Sequence, residues 1–228
     1  MSKKVDRRPK AVIWDLDGTL IDSEEWHWLS WQEILHAEGY PITYEEFLKG
    51  FGRRNDEVLR EYFGADADPA RLLQIGEDKE ARYRQYIEQH GIVLMPGVED
   101  WLGYLGESGW LMGVATSAPN RNLNIILDVS GLALYFDAIV GKDDVTNGKP
   151  DPEVFLTAAS RLEVPPVRSI VVEDVVAGIA GAHAAGMAAI GVGERHAELG
   201  ADLSVPRLDE LEDDAFETLL AAHSATES

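Results

Sequence analysis

The stretch Ala11-Val12-Ile13-Trp14-Asp15-Leu16-Asp17-Gly18-Thr19 decides the reading of this chain. Four apolar residues without polar alternation suit a strand buried on both faces of a parallel sheet. They run into two acids at i and i+2, which point the same way in an extended segment. Both carboxylates then converge beyond the carboxyl end of the strand, where open α/β sheets place their ligands. Two acids held together are unfavourable unless they share a cation or a proton. The pattern suggests a divalent ion, with Asp15 free to act as nucleophile and Asp17 as general acid/base. A bare Asp-rich turn that satisfies its own backbone is the bland alternative. The preceding buried strand and the following Gly-Thr favour the chemical reading.

Outward from this stretch, short apolar runs recur at Leu111–Ala115, Ala138–Val140, Ser169–Val172 and Ala188–Val192. Helix-like stretches lie between or beside them, at Val98–Glu107, Asn122–Val129, Pro152–Leu162 and Ala177–Ala185. This alternation predicts an α/β fold, a doubly wound, Rossmann-like parallel sheet. Residues 23–94 differ, with helical periodicity in Trp28, Trp31, Leu35, Leu72, Ile75, Tyr83 and Ile87 but no convincing strand. We expect a small helical domain over 23–94, inserted after the first strand, and a core built from 1–22 and 95–228. Two chain crossings between the units suggest a hinge.

Composition narrows the function. The 228 residues include 20 Lys or Arg against 41 Asp or Glu, a formal net charge of −21, which argues against nucleic-acid binding. Without cysteine there are no disulfides or thiolate metal sites. No apolar run reaches the ~18 residues of a membrane span. Met1–Lys10 is basic, but the apolar stretch behind it is broken at Asp15 and Asp17 and does not read as a secretory signal. The expectation is a cytoplasmic protein without nucleic-acid or membrane partners.

Three further signals fall at the ends of later strands. Thr116-Ser117 can hold an anion or simply cap the next helix. Lys149, in Gly148-Lys149-Pro150-Asp151-Pro152, is either a functional cation or a solvated loop residue. Glu173-Asp174 are metal ligands or N-caps. Singly, each leaves both readings open.

Together they resemble the haloacid dehalogenase superfamily of aspartate-nucleophile phosphotransferases over nearly the whole chain. Asp15-Leu16-Asp17-Gly18-Thr19 looks like the first motif, Thr116 the second, Lys149 the third and Glu173-Asp174 the fourth. The insert is similar to the helical cap of the subgroup containing β-phosphoglucomutase and many sugar-phosphate phosphatases. Asp22 to His27 with Trp31, Lys49 to Arg53, and Pro96-Gly97-Val98 carry that likeness.

The resemblance implies Mg²⁺ held by Asp15, the backbone carbonyl of Asp17 and Asp174, with Glu173 in support. It implies an aspartyl phosphate on Asp15, proton transfer by Asp17, and charge neutralisation by Thr116, the Ser117 amide and Lys149. His27, Trp31, Lys49, Gly50, Arg53 and Lys79 of the insert, with Ser117 and Asn120, are the implied contacts to a small phosphomonoester. Trp28, Trp31 and Leu35 also share one helical face, which suits a core role. Dehalogenase and phosphonate-cleaving relatives lack the second aspartate, so Asp17 argues against both.

What remains is phosphoryl transfer to water or to a sugar hydroxyl. A mutase must grip two phosphates, and Ala118 and Pro119 stand where β-phosphoglucomutase has a serine and a lysine. Each lost charge-assisted contact removes ~1.5–3 kcal/mol. The expectation is therefore a Mg²⁺-dependent sugar-phosphate phosphatase, acting as a monomer. A mutase is the alternative, and a non-catalytic phosphosugar-binding regulator a remote one, because nucleophile, acid and lysine are all retained.

Overall fold

The computed structural model describes residues 8–51 and 53–226, so the reading of the first seven residues lies outside it. Along the chain, β1 (Ala11–Trp14) and a short β2 (Ile21–Asp22) precede α1 (Glu24–Ala37), α2 (Tyr44–Gly50), α3 (Asn55–Phe63) and α4 (Pro69–His90). Next come β3 (Val93–Leu94), α5 (Val98–Glu107), β4 (Leu111–Ala115), α6 (Asn120–Ser130) and β5 (Ala138–Val140). The chain ends with α7 (Glu153–Arg161), β6 (Ser169–Glu173), α8 (Val176–Ala184), β7 (Ala188–Gly191), β8 (Leu203–Ser204) and α9 (Ala215–Thr226).

The main sheet has the order β5-β4-β1-β6-β7-β8, and every neighbouring pair is parallel. Strand β1 is buried on both faces, as its unbroken apolar run requires. Val12 and Trp14 enter a layer with Leu102, Ile126 and Phe216, while Ala11 and Ile13 face Phe155, Ala158 and Ile179. After β1 the chain builds toward β5, then crosses back to β6 and builds the other way. The winding reverses between β1 and β6, and a crevice opens at their carboxyl ends. The fold is the α/β, Rossmann-like arrangement that the sequence predicts.

Helices α1–α3 and the first half of α4 have their own apolar cluster of Trp31, Leu35, Phe47, Val58, Leu59, Leu72 and Ile75. Further along α4, Tyr83 and Ile87 join the sheet-side layer with Leu20 and Ile21. Between these halves the helix buries Lys79 and Glu80, and it buries Arg84 beside Tyr83. The link to the sheet is also more ordered than the sequence suggests. Strands β2 and β3 pair antiparallel, Ile21 with Leu94 and Asp22 with Val93. Two residues each give too little periodicity to read as strands. Among the described residues, no helix is long and apolar enough to cross a membrane.

Candidate active site

The ladder continues one residue past β1, where the Asp15 N–H donates to the Val172 carbonyl at 3.0 Å. The chain then turns tightly, with Leu20 and Ile21 N–H groups both donating to the Leu16 carbonyl, at 2.9 and 3.1 Å. Gly18 is needed at this turn twice over. Its φ is +81°, and a Cβ there would lie 2.2 Å from Asp174 Oδ2. The Thr19 hydroxyl donates to Asp174 Oδ1 at 3.2 Å.

Asp15, Glu173 and Asp174 each present a carboxylate oxygen within 4.8 Å of the others. Lys149 Nζ donates to Asp15 Oδ1 at 2.5 Å and to Glu173 Oε1 at 2.6 Å. The other Glu173 oxygen accepts from the N–H groups of Asp174 (2.9 Å) and Val175 (3.0 Å). Glu173 thus caps the approach to α8 and faces the cluster at the same time, while the Asp174 carboxylate points into the cluster. A single ammonium among three acids leaves excess negative charge. Burial, then Glu173 and Asp17, push the Asp15 pKa up to about 7 against the pull of Lys149. Burial, followed by Asp15 and Glu173, holds Asp174 well above the usual carboxylate range. Burial alone would weaken the charge on Lys149, but the two carboxylates outweigh it and raise its pKa. A buried, oxygen-only, anionic donor set of this kind fits a hard divalent cation, which would relieve the repulsion.

Asp17 faces the insert. Its Oδ1 accepts from the Tyr83 hydroxyl at 3.3 Å and lies 3.4 Å from His27 Nε2. His27 Nδ1 is 2.7 Å from Lys79 Nζ. An ammonium has no acceptor, so Nδ1 accepts and the ring proton sits on Nε2, toward Asp17. Burial, then the Lys79 charge, lowers the His27 pKa and keeps the ring neutral. Burial pushes Asp17 the other way, but the His27 hydrogen bond and the nearby Lys79 outweigh it, and its pKa is lowered. Lys79 in turn donates to Glu80 Oε1 at 2.9 Å. Burial opposes the Glu80 charge, yet Lys79, His27 and the Asn55 amide together bring its pKa down to about 2.

A cleft of about 640 Å³ runs between insert and sheet. It is lined by Asp15, Asp17, Thr116, Ser117, Lys149, Glu173 and Asp174 on the sheet side. His27, Trp31, Gly50, Arg53 and Lys79 line it from the insert. Trp31 is both core and wall, buried in the insert's cluster with Lys79 Nζ 5.3 Å from its ring centre. Two anticipated contacts stand elsewhere. The Lys49 side chain is 69% exposed and pairs with Glu45, one helical turn away. The Asn120 amide donates to Asp144 Oδ2 at 2.9 Å and is not part of the wall. Arg53 reaches the cleft but is paired with Glu61 at 2.8 Å and Glu57 at 3.7 Å.

Several cleft residues escaped the sequence reading: Arg54, Asn55, Glu80, Tyr83, Asn122 and Lys142. In the sequence Tyr83 is one step of an apolar stripe. Its spacing of four from Lys79 puts its hydroxyl on the same helical face, a signal that was available. The side chains of Asn55 and Asn122 meet Glu80 only in the folded chain, at 2.7 and 2.5 Å.

Known proteins resemble this chain over most of its length. The chain is 36% identical over 213 residues to the β-phosphoglucomutase of Bacillus subtilis (strain 168), covering 89% of this chain and 91% of that one. It is 33% identical over 189 residues to the fructose-1-phosphate phosphatase YqaB of Escherichia coli (strain K12), covering 81% and 97%. The crystal structure of a β-phosphoglucomutase from Clostridium difficile superposes with a TM-score of 0.84 at 26% identity, covering 95% of this chain and 99% of that one. The model of the haloacid dehalogenase-like hydrolase family matches residues 12–192, and the chain belongs to that family.

Proposed function

We propose that the protein is a Mg²⁺-dependent phosphatase that hydrolyses a small sugar phosphate through an aspartyl phosphate on Asp15. The observation that carries this is the pairing of Asp15 with Lys149 at the floor of the cleft, with Asp17 poised on the insert side. Asp15, the Asp17 carbonyl and Asp174 would hold the ion, with Glu173 in support; when bound it offsets phosphoryl charge. Residues 23–94 act as a cap over the core, and the protein works as a cytoplasmic monomer.

In the first half-reaction an Asp15 oxygen attacks phosphorus, the bond to the sugar oxygen breaks, and Asp17 gives that oxygen its proton. Asp17 is a carboxylate in the free protein, and an entering phosphoryl dianion beside it raises its affinity for that proton. Thr116, the Ser117 N–H and Lys149 neutralise charge on the phosphoryl oxygens. In the second half-reaction Asp17 takes a proton from water, whose oxygen attacks phosphorus and restores the Asp15 carboxylate.

Hydrolysis is favoured over mutation by the distal wall. Ala118 and Pro119 offer no cation, the Asn120 amide is engaged by Asp144, and among the described residues Lys142 is the one cation lining the cleft beside them. The second reading, return of the phosphoryl group to a sugar hydroxyl, is supported by Arg53 and Arg54 in the opposite wall. Phosphorus NMR with Mg²⁺ and a panel of sugar phosphates, including β-glucose 1-phosphate with its bisphosphate primer, separates them. Growth of inorganic phosphate, absent in Asp15→Asn, is the expected result. Conversion of the 1-phosphate to the 6-phosphate without free phosphate would replace this reading with the mutase.

A further inference from the structure

The cap and core meet most closely where α4 packs on α6. Asn122, in the first turn of α6, is 1% exposed there. Its Oδ1 accepts from Arg84 Nη1 at 2.7 Å, and its Nδ2 donates to Glu80 Oε2 at 2.5 Å. Arg84 and Glu80 lie one turn apart on the same face of α4, so one core amide bonds both an anion and a cation of the cap. Only a side chain with both an acceptor and a donor can do this. Turning the amide over would set its NH₂ against the guanidinium and its oxygen against the carboxylate.

Beyond Asn122, the bonds continue without a gap. Glu80 Oε1 also accepts from Asn55 Nδ2 at 2.7 Å and from Lys79 Nζ at 2.9 Å. Lys79 meets His27 at 2.7 Å, and His27 meets Asp17 at 3.4 Å. Every member between Asn122 and Asp17 belongs to the cap, whereas the two ends belong to the core. Movement of the cap away from the sheet therefore breaks the network at Asn122 as well as at Asp17. It leaves Arg84 without this acceptor and Glu80 without one of its three donors.

We propose that Asn122 is a positioning residue, the core-side half of a clasp that holds α4 closed over the cleft and thereby sets His27 against Asp17. The kinetic part rests on the phosphatase reading above; the closure part does not. Asn122→Leu keeps the bulk and removes both hydrogen bonds. Small-angle X-ray scattering of the wild type and of this variant reports closure without any turnover, and a larger radius of gyration is expected for the variant. An unchanged radius overturns the clasp.

Kinetics then test the link to Asp17. A sugar alkoxide needs a proton to leave, whereas a dinitrophenolate does not. For Asn122→Leu, kcat on the sugar phosphate should fall about tenfold further than kcat on dinitrophenyl phosphate. Equal loss on both substrates, or loss on neither, overturns the positioning role. Arg84→Met removes one of the two clasp bonds from the cap side if Asn122→Leu does not fold. The two changes combined should do no more than Asn122→Leu alone, and simple additivity overturns the shared role. Failure of the wild type to hydrolyse any phosphomonoester defeats the phosphatase reading and leaves the scattering result to decide closure.

Discussion

Gly178 packs so closely on Glu173 that a Cβ on the glycine would fall 1.8 Å from Glu173 Oε1. The first turn of α8 therefore acts as a stop that presses the glutamate onto Lys149. Gly178→Ala has to push the carboxylate aside or lift the helix. We expect kcat to fall by about 10²-fold or more, since misplacing a catalytic group by about 1 Å is enough for that. Thermal melting should show a loss of roughly 1–3 kcal/mol, as for other overpacked sites. Wild-type kcat in the variant would show that Glu173 can be moved freely.

Three carboxylates share one lysine in the cluster, so removing one of them lowers the repulsion when no cation is present. Asp174→Asn should raise the melting midpoint measured in chelator by about 2–6 °C. Mg²⁺ should raise the wild-type midpoint and leave that of the variant unchanged. A lower midpoint for Asp174→Asn in chelator would mean that the acids are not in conflict.

Glu80 gives the fold an acid-sensitive element. Burial opposes its charge, but Lys79, His27 and Asn55 outweigh this and bring its pKa from 4.5 to about 2. A carboxylate held below its unfolded value stabilises the protein above that value, and the contribution is lost as pH falls from 4.5 toward 2. The full contribution is on the order of 3 kcal/mol. Glu80→Gln should be less stable than wild type at pH ~6, and urea unfolding should show the gap narrowing by pH ~3. A gap that stays constant would separate Glu80 from the acid response.

Arg53 and Lys49 lie four residues apart on the insert but meet different surroundings. Arg53→Ala should raise KM for the sugar phosphate several-fold and leave kcat for a small aryl phosphate near wild type. Lys49→Ala removes only an exposed pair with Glu45, and steady-state kinetics should detect no change. An effect of Lys49→Ala as large as that of Arg53→Ala would place Lys49 on the substrate.

The legibility of this chain follows how far each signal reaches along it. Ala11–Trp14 and Leu111–Ala115 appear as strands within their predicted limits because their side chains are buried on both faces and carry no mixed pattern. The lysine and the later acids of the cluster are ambiguous singly, and only their order along successive strand ends, as in the family they resemble, draws them together. Glu80 and Asn122 are not readable in this way, since their meaning depends on α4 lying against α6, a contact 42 residues apart in sequence. Lys49 and Asn120 stand apart from the cleft with other partners. Lys49 has an acidic partner one turn away in Glu45, and Asn120 meets Asp144 only in the folded chain, 24 residues on.

The pairing of β2 with β3 has a consequence for how the chain can be built. Outgoing and returning chains meet in one antiparallel rung pair, and the Met95 N–H donates to the Leu20 carbonyl at 3.0 Å. The 70 or so residues between them begin and end about 5 Å apart. A segment with adjoining ends can be exchanged for another of different length without altering the register of any sheet strand. On the function proposed above, the sheet keeps the phosphoryl chemistry while residues 23–94 form a replaceable cassette.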